Sequence, residues 1–550
     1  MPSSSLWSRA RFLSVATTKT TKRVCIVGSG PSGFYAAKYL NERAPDEHTT
    51  IKVDILERLP VPYGLVRYGV APDHPEVKSV ESTFAKLASD PSRHVRFFGN
   101  VHVGGDIDDV TAEASPAAAA APARVTLAAL RAVYDAVILA YGASGDKPLG
   151  LGEGRYTNIA SARQFVNWYN GYPDHSWARD LSAVTDVVII GNGNVALDCA
   201  RILSKCPADL AATDITREAL EALGKSAVRR VSVVGRRGAA QASFTIKEAR
   251  ELTKISGAQC RILPSELTMS LGAASLQEVA ESRPKARIIE LLRGIAADTS
   301  DSLDTAGSDE ETTDAVTAAG KRHIDLRFLL RPAELLPHPS DSTRISAVRM
   351  VRTELSGQAH RQAVRDTAPT LNFPCSSPSF SSSSSTHTHT PAPTPTPTLT
   401  LPCQLLLTSV GYQSEPMPGA PFNPSSHTVP NSIGRVADSP GLYVVGWLKR
   451  GPTGIIASAV TDAKETVHAV LEDMRTGASD QGHLPGGSSD GYGAQESRPD
   501  PIDALPALRG PQVVSWEAYQ RLDAFEREHG GAKPREKITS VAEMLRRSRS

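Results

Sequence analysis

The feature that most constrains the fold is a glycine-rich turn near the start of the chain. An apolar run at 24–27 has the length and composition of a buried parallel strand, and a helical stretch begins at Phe34. Gly28, Gly30 and Gly33 stand between the two. In such a turn the first glycine makes the turn tight, the second lets a pyrophosphate approach the backbone, and the third lets helix and strand pack closely. The pyrophosphate then lies on the unpaired N–H groups at the start of the helix.

A second strand, predicted at 51–56, ends at Glu57, a carboxylate placed to accept hydrogen bonds from a ribose. The order of strand, turn, helix, strand and acid predicts a dinucleotide-binding α/β unit. The alternative, a glycine-rich turn in an ordinary α/β fold, leaves Glu57 unexplained.

The same pattern returns further along the chain, with a different ending. A strand predicted at 186–190 leads into Gly-Asn-Gly-Asn-Val-Ala at 191–196, and the next strand, at 231–234, is followed by Arg236 and Arg237. A carboxylate at this position suits a free 2′-hydroxyl, whereas arginines suit a 2′-phosphate because the guanidinium is planar and permanently charged. The second nucleotide is therefore expected to be NADP(H). The alternative is that the two arginines form a solvated charge pair.

Composition excludes several other classes of protein. The chain has 550 residues, of which 40% are hydrophobic and 22% charged, which is typical of a soluble globular protein. The net charge of +1 argues against bulk electrostatic binding to nucleic acid, and no apolar run is long enough to span a bilayer. The six cysteines are scattered through the chain, so neither a disulfide framework nor a set of metal-ligand pairs is expected, and the absence of C-x-x-C argues against a redox dithiol.

Residues 1–22 have a composition of their own. They contain four basic residues among many Ser and Thr, and no acidic residue precedes Glu42. This composition predicts a mitochondrial transit peptide. The alternative is a disordered tail.

Further strands are predicted from short apolar runs between turn residues. They lie at 95–98, 101–103, 134–140, 326–330 and 404–408. A strand, a Gly/Pro turn and a helix start at 441–458 form a third junction able to present N–H groups to a ligand, with the helix predicted from Ile455. Trp516, Tyr519 and Leu522 lie at helical spacing and are expected to be packing residues.

Two nested dinucleotide-binding folds resemble a flavoprotein that passes electrons between NADPH and FAD. Several stretches are more specifically similar to the mitochondrial adrenodoxin reductase (NADPH:ferredoxin reductase) family. They are Val-Pro-Tyr-Gly-Leu-Val-Arg-Tyr-Gly-Val-Ala-Pro-Asp-His-Pro-Glu (61–76), Gly-Asn-Gly-Asn-Val-Ala-Leu-Asp (191–198), Phe-Thr-Ile-Lys-Glu (244–248), Gly-Trp-Leu-Lys-Arg-Gly-Pro-Thr-Gly-Ile-Ile (446–456) and Lys-Pro-Arg-Glu-Lys (533–537). The resemblance covers about 23–547, apart from polar inserts.

The fold class implied is α/β, with two Rossmann-like domains, the NADP domain inserted into the FAD domain. The predicted segments are a transit peptide at 1–22, an FAD-binding domain at 23–143 and 409–548, an NADP-binding domain at 144–408 with low-complexity inserts at about 295–320 and 366–400, and a flexible linker at 475–500.

The resemblance also implies which residues contact the two cofactors. For FAD they are Gly28, Gly30, Ser32, Gly33, Glu57, Leu65, Val101, Trp447, Gly454, Ile455 and Ile456; for NADP they are Asn192, Gly193, Asn194, Val195, Arg236, Arg237, Glu248 and Gly454. Ser32 stands where the family commonly has Ala. Trp447 after Gly446 agrees with this family, because many members of the wider superfamily carry Gly-Asp there.

The implied chemistry belongs to the cofactors: NADPH gives a hydride to the flavin, which releases two electrons one at a time. No protein nucleophile or metal is expected. His74 and Asp198 resemble family residues near the flavin and the domain junction, where hydrogen bonding would fix the nicotinamide domain or tune the flavin. The alternative is an ordinary loop histidine and a helix-start aspartate.

The implied electron acceptor is a small acidic [2Fe–2S] ferredoxin. Arg283, Lys285, Arg287 and Arg293 cluster before and along an apolar helix, and Arg283 and Arg287, four residues apart, share one face. By resemblance, Arg250, Arg283 and Arg287 are the docking candidates; the alternative is a solvated basic face. We expect a monomer of the mitochondrial matrix without a transmembrane segment, compatible with a peripheral position at the inner membrane.

Three other interpretations remain open. An NADPH-dependent disulfide reductase would need the missing C-x-x-C. A glutamate-synthase-like electron-entry subunit would normally bring cysteine clusters for iron–sulfur centres, and the chain has none. A nucleotide-binding scaffold without turnover would keep the fold alone.

Overall fold

The computed structural model describes residues 20–43, 48–105, 121–175, 177, 179–299, 321–367, 398–454, 456–478 and 500–549. Most of the predicted transit peptide, inserts and linker lies outside these ranges, as does Ile455.

The strands are given first, in chain order. They are β1 (Thr20–Val27), β2 (Thr49–Leu56), β3 (Val95–Phe98), β4 (Val101–Val103), β5 (Ala123–Val125), β6 (Ala136–Leu139), β7 (Gly145–Asp146), β8 (Ile159–Ser161), β9 (Asp186–Ile190), β10 (Arg230–Val234), β11 (Ala258–Arg261), β12 (Arg322–Arg327), β13 (Leu330–His338), β14 (Asp341–Ser356), β15 (Ala363–Asp366), β16 (Thr398–Pro402), β17 (Leu405–Thr408), β18 (Tyr412–Gln413), β19 (Asn431–Ser432), β20 (Arg435–Val436) and β21 (Leu442–Val444).

The α-helices follow in the same order. They are α1 (Pro31–Glu42), α2 (Leu65–Tyr68), α3 (Pro75–Lys78), α4 (Glu81–Ser89), α5 (Leu127–Val133), α6 (Ala162–Asn170), α7 (Asn194–Ser204), α8 (Pro207–Leu210), α9 (Arg217–Gly224), α10 (Ile246–Leu252), α11 (Pro264–Met269), α12 (Ala273–Ala280), α13 (Arg283–Ala297), α14 (Trp447–Arg450), α15 (Ser458–Thr476), α16 (Pro501–Ala504), α17 (Trp516–Glu528) and α18 (Val541–Arg549).

Two separate sheets confirm the predicted fold class. The first has the order β19-β20-β21-β6-β1-β2-β3, and the second has the order β11-β12-β10-β9-β17-β8. All pairings of the second sheet are parallel, as are those from β21 through β3 in the first. The second sheet takes its strands from a stretch of chain that lies between two groups of strands of the first, so one α/β unit is nested within the other.

Both faces of the first sheet are covered, which explains why its strands are apolar throughout. Alternate residues of β1 point to opposite sides. Val24 and Ile26 pack with Phe34 of α1, whereas Cys25 and Val27 pack in a second cluster on the other face. Cys25 is thus the small buried hydrophobe that its position in the strand predicts.

Parallel register aligns the strand ends that carry the predicted site. Val27 pairs with Leu56, so the turn after β1 and Glu57 after β2 meet at one sheet edge. Ile190 pairs with Val234 in the same way, which brings the second glycine turn next to Arg236. In open α/β sheets, ligands bind beyond these carboxyl ends.

The bounds predicted for the strand at 326–330 are wrong, although a strand of the second sheet does end within this run. β12 ends at Arg327, Leu329 has a left-handed φ of +55°, and β13 begins at Leu330 in a separate antiparallel sheet with β14, β15 and β16. The apolar run spans a corner between two sheets, which its composition alone does not reveal.

Several predicted boundaries also need correction. The helix predicted from Ile455 is α15, which begins at Ser458 and extends to Thr476, into the predicted linker. Residues 295–297 still belong to α13, Asp366 belongs to β15, and 398–400 belong to β16, so the low-complexity inserts are shorter than predicted. Trp516, Tyr519 and Leu522 are buried packing residues of α17, as predicted.

In the part of the chain that the structure describes, no helix is both long enough and apolar enough to cross a bilayer.

Candidate functional site

The first glycine turn combines crowded and open positions. Gly28 has a φ of +112°, and a Cβ at Gly33 would lie 2.1 Å from the Gly28 carbonyl oxygen. These two glycines are therefore required by the protein's own backbone. A Cβ at Gly30 would meet nothing within 4 Å, although Gly30 is the residue before the first turn of α1. Space thus exists at the N–H groups that begin this helix.

Glu57 already has partners within the protein. One carboxylate oxygen accepts hydrogen bonds from the backbone N–H of Ser29 at 2.9 Å and from the Ser29 hydroxyl at 2.7 Å, and the other accepts from the Leu59 N–H at 3.0 Å. Glu57 therefore stabilises the glycine turn through hydrogen bonds within the protein. A carboxylate has about four lone-pair sites, so one remains for a ribose hydroxyl.

Two more predicted FAD contacts lie close to this turn. The Val101 N–H donates to the carbonyl oxygen of Glu57 at 2.8 Å. The Tyr63 N–H donates to the carbonyl oxygen of Ser29 at 3.1 Å, and a Cβ at Gly64 would lie 3.2 Å from the Cα of Gly30. Leu65, which begins α2, therefore directly follows a loop that packs on the first turn.

The third junction packs against the first. A Cβ at Gly446 would lie 2.4 Å from the Ser32 hydroxyl, so the two turns are in close contact. Trp447 starts α14 and stacks on Tyr412 with ring centroids 5.5 Å apart. Gly454 lies beside α15, and Ile456 packs against the core that holds α1.

Asp462 on α15 holds this junction and was not identified from the sequence. Its carboxylate accepts the Gly446 N–H and lies 3.1 Å from the Lys449 ammonium and 3.4 Å from the Arg450 guanidinium. A signal was available, because Asp462 stands on the buried stripe of its helix beside Ala459. A carboxylate on an apolar face needs a specific partner.

The second glycine turn offers a similar opening. Gly193 precedes α7, and a Cβ there would meet nothing within 4 Å. Asn194 accepts a hydrogen bond from the Thr245 N–H at 2.9 Å, and Val195 packs on the core of this domain. The side-chain oxygen of Asn192 is buried and has no hydrogen-bond partner among the described residues. A buried acceptor with no donor among the described residues is able to accept a hydrogen bond from a ligand.

Arg236 and Arg237 follow β10 at the neighbouring position of the same sheet edge. Both side chains are exposed, and within the described ranges neither guanidinium has a hydrogen-bond or ion-pair partner. Glu248 lies on α10, where its carboxylate accepts the Thr245 hydroxyl and burial raises its pKa. The predicted NADP-site residues other than Gly454 therefore gather around one edge of the second sheet, whereas Gly454 lies at the third junction, beside α15.

His74 and Asp198 lie in a charged network at the domain junction. His74 Nε2 lies 3.1 Å from a carboxylate oxygen of Glu251. Arg201 Nη1 lies 3.4 Å from that Glu251 oxygen and 2.7 Å from Asp198 Oδ1. Burial raises the pKa of Asp198, partly opposed by Arg201. Arg201 also binds Asp73 at 2.8 Å. The network joins the loop before α3 to α7 and α10. No local sequence pattern points to Glu251 or Arg201 as members of it.

The basic docking candidates are exposed, with one exception in the cluster. Arg250 on α10 and Arg283 and Arg287 on α13 are all exposed to solvent. Lys285 instead pairs with the buried carboxylate of Glu278 at 2.5 Å, so its charge is largely neutralised locally.

The residues present fit the two groups that the fold implies. Open space at Gly30 and Gly193 faces helix starts suited to pyrophosphates, and the orphaned Asn192 oxygen can accept from a ligand. The unpaired arginine side chains suit a phosphate monoester.

Known proteins similar to this chain include pyridine-nucleotide oxidoreductases, as the geometry of the site indicates. A family profile described as "Pyridine nucleotide-disulphide oxidoreductase" matches residues 22–251. NADPH:adrenodoxin oxidoreductase of Mus musculus is 40% identical, over 96% of this chain and 92% of that protein, and the Arabidopsis thaliana protein of the same name is 35% identical, over 98% and 97%. The solved structure of Mycobacterium tuberculosis FprA in complex with NADPH has a TM-score of 0.75 at 36% identity, covering 96% and 100%.

The nested dinucleotide-binding units and their paired glycine turns define a two-domain oxidoreductase of the flavin and pyridine-nucleotide class. Within that class, the chain belongs to the NADPH:adrenodoxin oxidoreductase family.

Proposed function

We propose that this chain is an FAD-containing NADPH:ferredoxin oxidoreductase whose acceptor is a small acidic [2Fe–2S] ferredoxin of the adrenodoxin type. One contrast carries the proposal: the second strand of the first unit is followed by an acid, Glu57, whereas that of the second unit is followed by two arginines, Arg236 and Arg237, that have no partner among the described residues. The first suits the free ribose of FAD, and the second suits the 2′-phosphate of NADPH.

FAD, when bound, supplies the exchange between a two-electron hydride donor and a one-electron acceptor. The chain's residues bind and orient. The N–H groups that begin α1 receive a pyrophosphate over Gly30, and Glu57 holds a ribose hydroxyl through its remaining lone pair. Trp447 and the turn to Ile456 cover the first site, with Asp462 fixing their position through Gly446.

On the second site, the N–H groups that begin α7 receive the other pyrophosphate, and Arg236 and Arg237 bind the 2′-phosphate. His74 and Asp198 hold the junction between the two domains. Their network spans both domains, so its hydrogen bonds set how closely the nicotinamide-binding part approaches the first site.

Arg250, Arg283 and Arg287 form the proposed docking surface. Three exposed guanidiniums attract an acidic partner and speed its association at low salt. The relatives named mitochondrial support a mitochondrial location, and we place this chain in the matrix as a monomer. The ferredoxin it reduces would serve iron–sulfur assembly, haem synthesis or a P450.

Colour and acceptor dependence test the proposal. The purified full chain should be yellow, should bleach with NADPH under anaerobic conditions, and should reduce cytochrome c only when a [2Fe–2S] ferredoxin is added. A protein that stays colourless after incubation with FAD would be a scaffold rather than an enzyme. Equal cytochrome c reduction without ferredoxin would contradict the assigned acceptor.

A further inference from the structure

Arg236 and Arg237 have exposed side chains, but hydrogen bonds hold the backbone of the turn that carries them. The Gly235 N–H donates to the Arg327 carbonyl at 2.9 Å, and the Leu330 N–H donates back to the Gly235 carbonyl at 3.1 Å. The corner between β12 and β13 therefore fixes the start of the turn.

The two arginine carbonyls are held as well. The Leu329 N–H donates to the Arg237 carbonyl at 3.3 Å, and the Thr353 hydroxyl donates to the Arg236 carbonyl at 2.8 Å. Of these four contacts, only the last is made by a side chain, and Thr353 is 2% exposed. The hydroxyl fixes the peptide plane between the two arginines, which sets the directions in which both side chains leave the backbone.

Thr353 is itself held by a buried platform. Its N–H donates to the Leu329 carbonyl at 2.9 Å. The adjacent Arg352 donates to Glu266, a fully buried carboxylate that also accepts from Arg327 and from the Phe328 N–H. A buried carboxylate between two guanidiniums holds β12 and β14 together, because loss of Glu266 would remove the acceptor that both arginines share. Thr353 is thus a rigid support.

We propose that Thr353 is a positioning residue for the coenzyme's 2′-phosphate, acting through the Arg236 carbonyl. The inference rests on the proposed function, because it takes Arg236 and Arg237 as the phosphate-binding groups. Two adjacent exposed arginines repel each other and have many rotamers, and fixing both on a phosphate costs conformational entropy. A peptide plane that is already fixed lowers this cost, because fewer backbone and side-chain conformations remain to be lost on binding. A ligand without the 2′-phosphate gains nothing from this support.

The test compares two probes on the holoenzyme. Thr353→Val keeps the shape of the side chain and removes the hydroxyl. We expect its Kd for 2′,5′-ADP, measured by calorimetry, to rise about five- to tenfold, while its Kd for 5′-ADP stays at the wild-type value. The ratio of the apparent Kd for NADPH to that for NADH, taken from the dependence of the single-turnover rate of flavin reduction on coenzyme concentration, should rise by the same factor.

Rescue separates positioning from packing. Thr353→Ser and Thr353→Ala lack the same methyl group and differ only by the hydroxyl, so Ser should keep phosphate affinity and Ala should lose it. This pair also decides the question if Thr353→Val does not fold. Equal weakening for both probes, or identical affinities for the Ser and Ala variants, would overturn the inference.

The parent assignment has its own control. Arg236→Ala together with Arg237→Ala should weaken 2′,5′-ADP and spare 5′-ADP. If this double variant binds 2′,5′-ADP as tightly as the wild type, the proposed NADP site is wrong. If it loses affinity and Thr353→Val does not, only the role of Thr353 is refuted.

Discussion

Gly30 and Gly33 stand in one turn but are required by different partners. A Cβ at Gly33 would lie 2.1 Å from the carbonyl oxygen of Gly28, which the fold cannot accept. A Cβ at Gly30 would meet no protein atom within 4 Å. The packing of the fold therefore requires Gly33, whereas Gly30 leaves room for a ligand at the start of α1.

We expect Gly30→Ala to give a folded apoprotein whose Tm is close to that of the wild type. Its affinity for FAD should fall at least about tenfold, corresponding to about 1.4 kcal/mol, because the new methyl group occupies the path of the pyrophosphate. Fluorescence titration of the apoprotein with FAD measures this. Gly33→Ala is the contrasting variant and should not yield a folded apoprotein. Wild-type FAD affinity in Gly30→Ala would show that the pyrophosphate does not cross Gly30.

Some elements could be predicted from the sequence because local signals agreed. β3, β4 and β9 have the predicted bounds, since each is a short apolar run bordered by turn or polar residues. The corner at Leu329 could not be predicted, because its left-handed backbone depends on the antiparallel sheet that follows.

The candidate site, like the fold, was predictable from the sequence only where its residues form local patterns. The glycine turns, Glu57 and the two arginines have local sequence patterns, and the structure brings each set to a sheet edge. Thr353 and Glu266 have none: Thr353 reaches Arg236 across 117 positions of sequence, and Glu266 reaches Arg327 across 61. Contacts of that span follow from topology and not from any local pattern.

The helix α13 gives the docking proposal a matched pair of variants. Arg287 shares a face with Arg283, whereas Arg293, also exposed, points about 120° away from Arg287 around the helix. We expect Arg287→Glu to raise the KM for an acidic ferredoxin about tenfold at low salt and to flatten the salt dependence of the rate. Arg293→Glu makes the same change of charge and should have a much smaller effect. Similar effects of the two variants would indicate a general field rather than a docking surface.

At the scale of the molecule, the C-terminal segment fastens the two domains together. Asp214, in the loop between α8 and α9, binds the ammonium of Lys78 at 2.7 Å and that of Lys537 at 2.8 Å. The Arg217 N–H also donates to Glu536 at 3.0 Å. All three charged groups at Asp214 are nearly buried, so the cluster joins α3, the inserted domain and the C-terminal segment with little solvent screening.

Two lysines on one buried aspartate give the stability a predictable pH dependence. Burial, and then the charge of Lys78, lowers the pKa of Lys537 to about 7, although Asp214 opposes the shift; Arg67 faces the same group. The pKa of a lysine in the unfolded chain is about 10.4. Between these values the folded chain lacks a proton that the unfolded chain binds, so the free energy of unfolding rises with pH by up to about 1.4 kcal/mol per unit.

Lys537→Met removes this titration and should reveal it. We expect the Tm of the wild type minus that of Lys537→Met to be constant below about pH 6.5 and to increase steadily from about pH 7 to 9, because only the wild type gains stability there. Scanning fluorimetry across this range measures the difference. Lys254→Met makes the same substitution at an exposed lysine and is the matched control, for which we expect a constant difference. A pH-independent difference for Lys537→Met would mean that Asp214 keeps Lys537 charged throughout, and the fastening would then be a permanent ion pair.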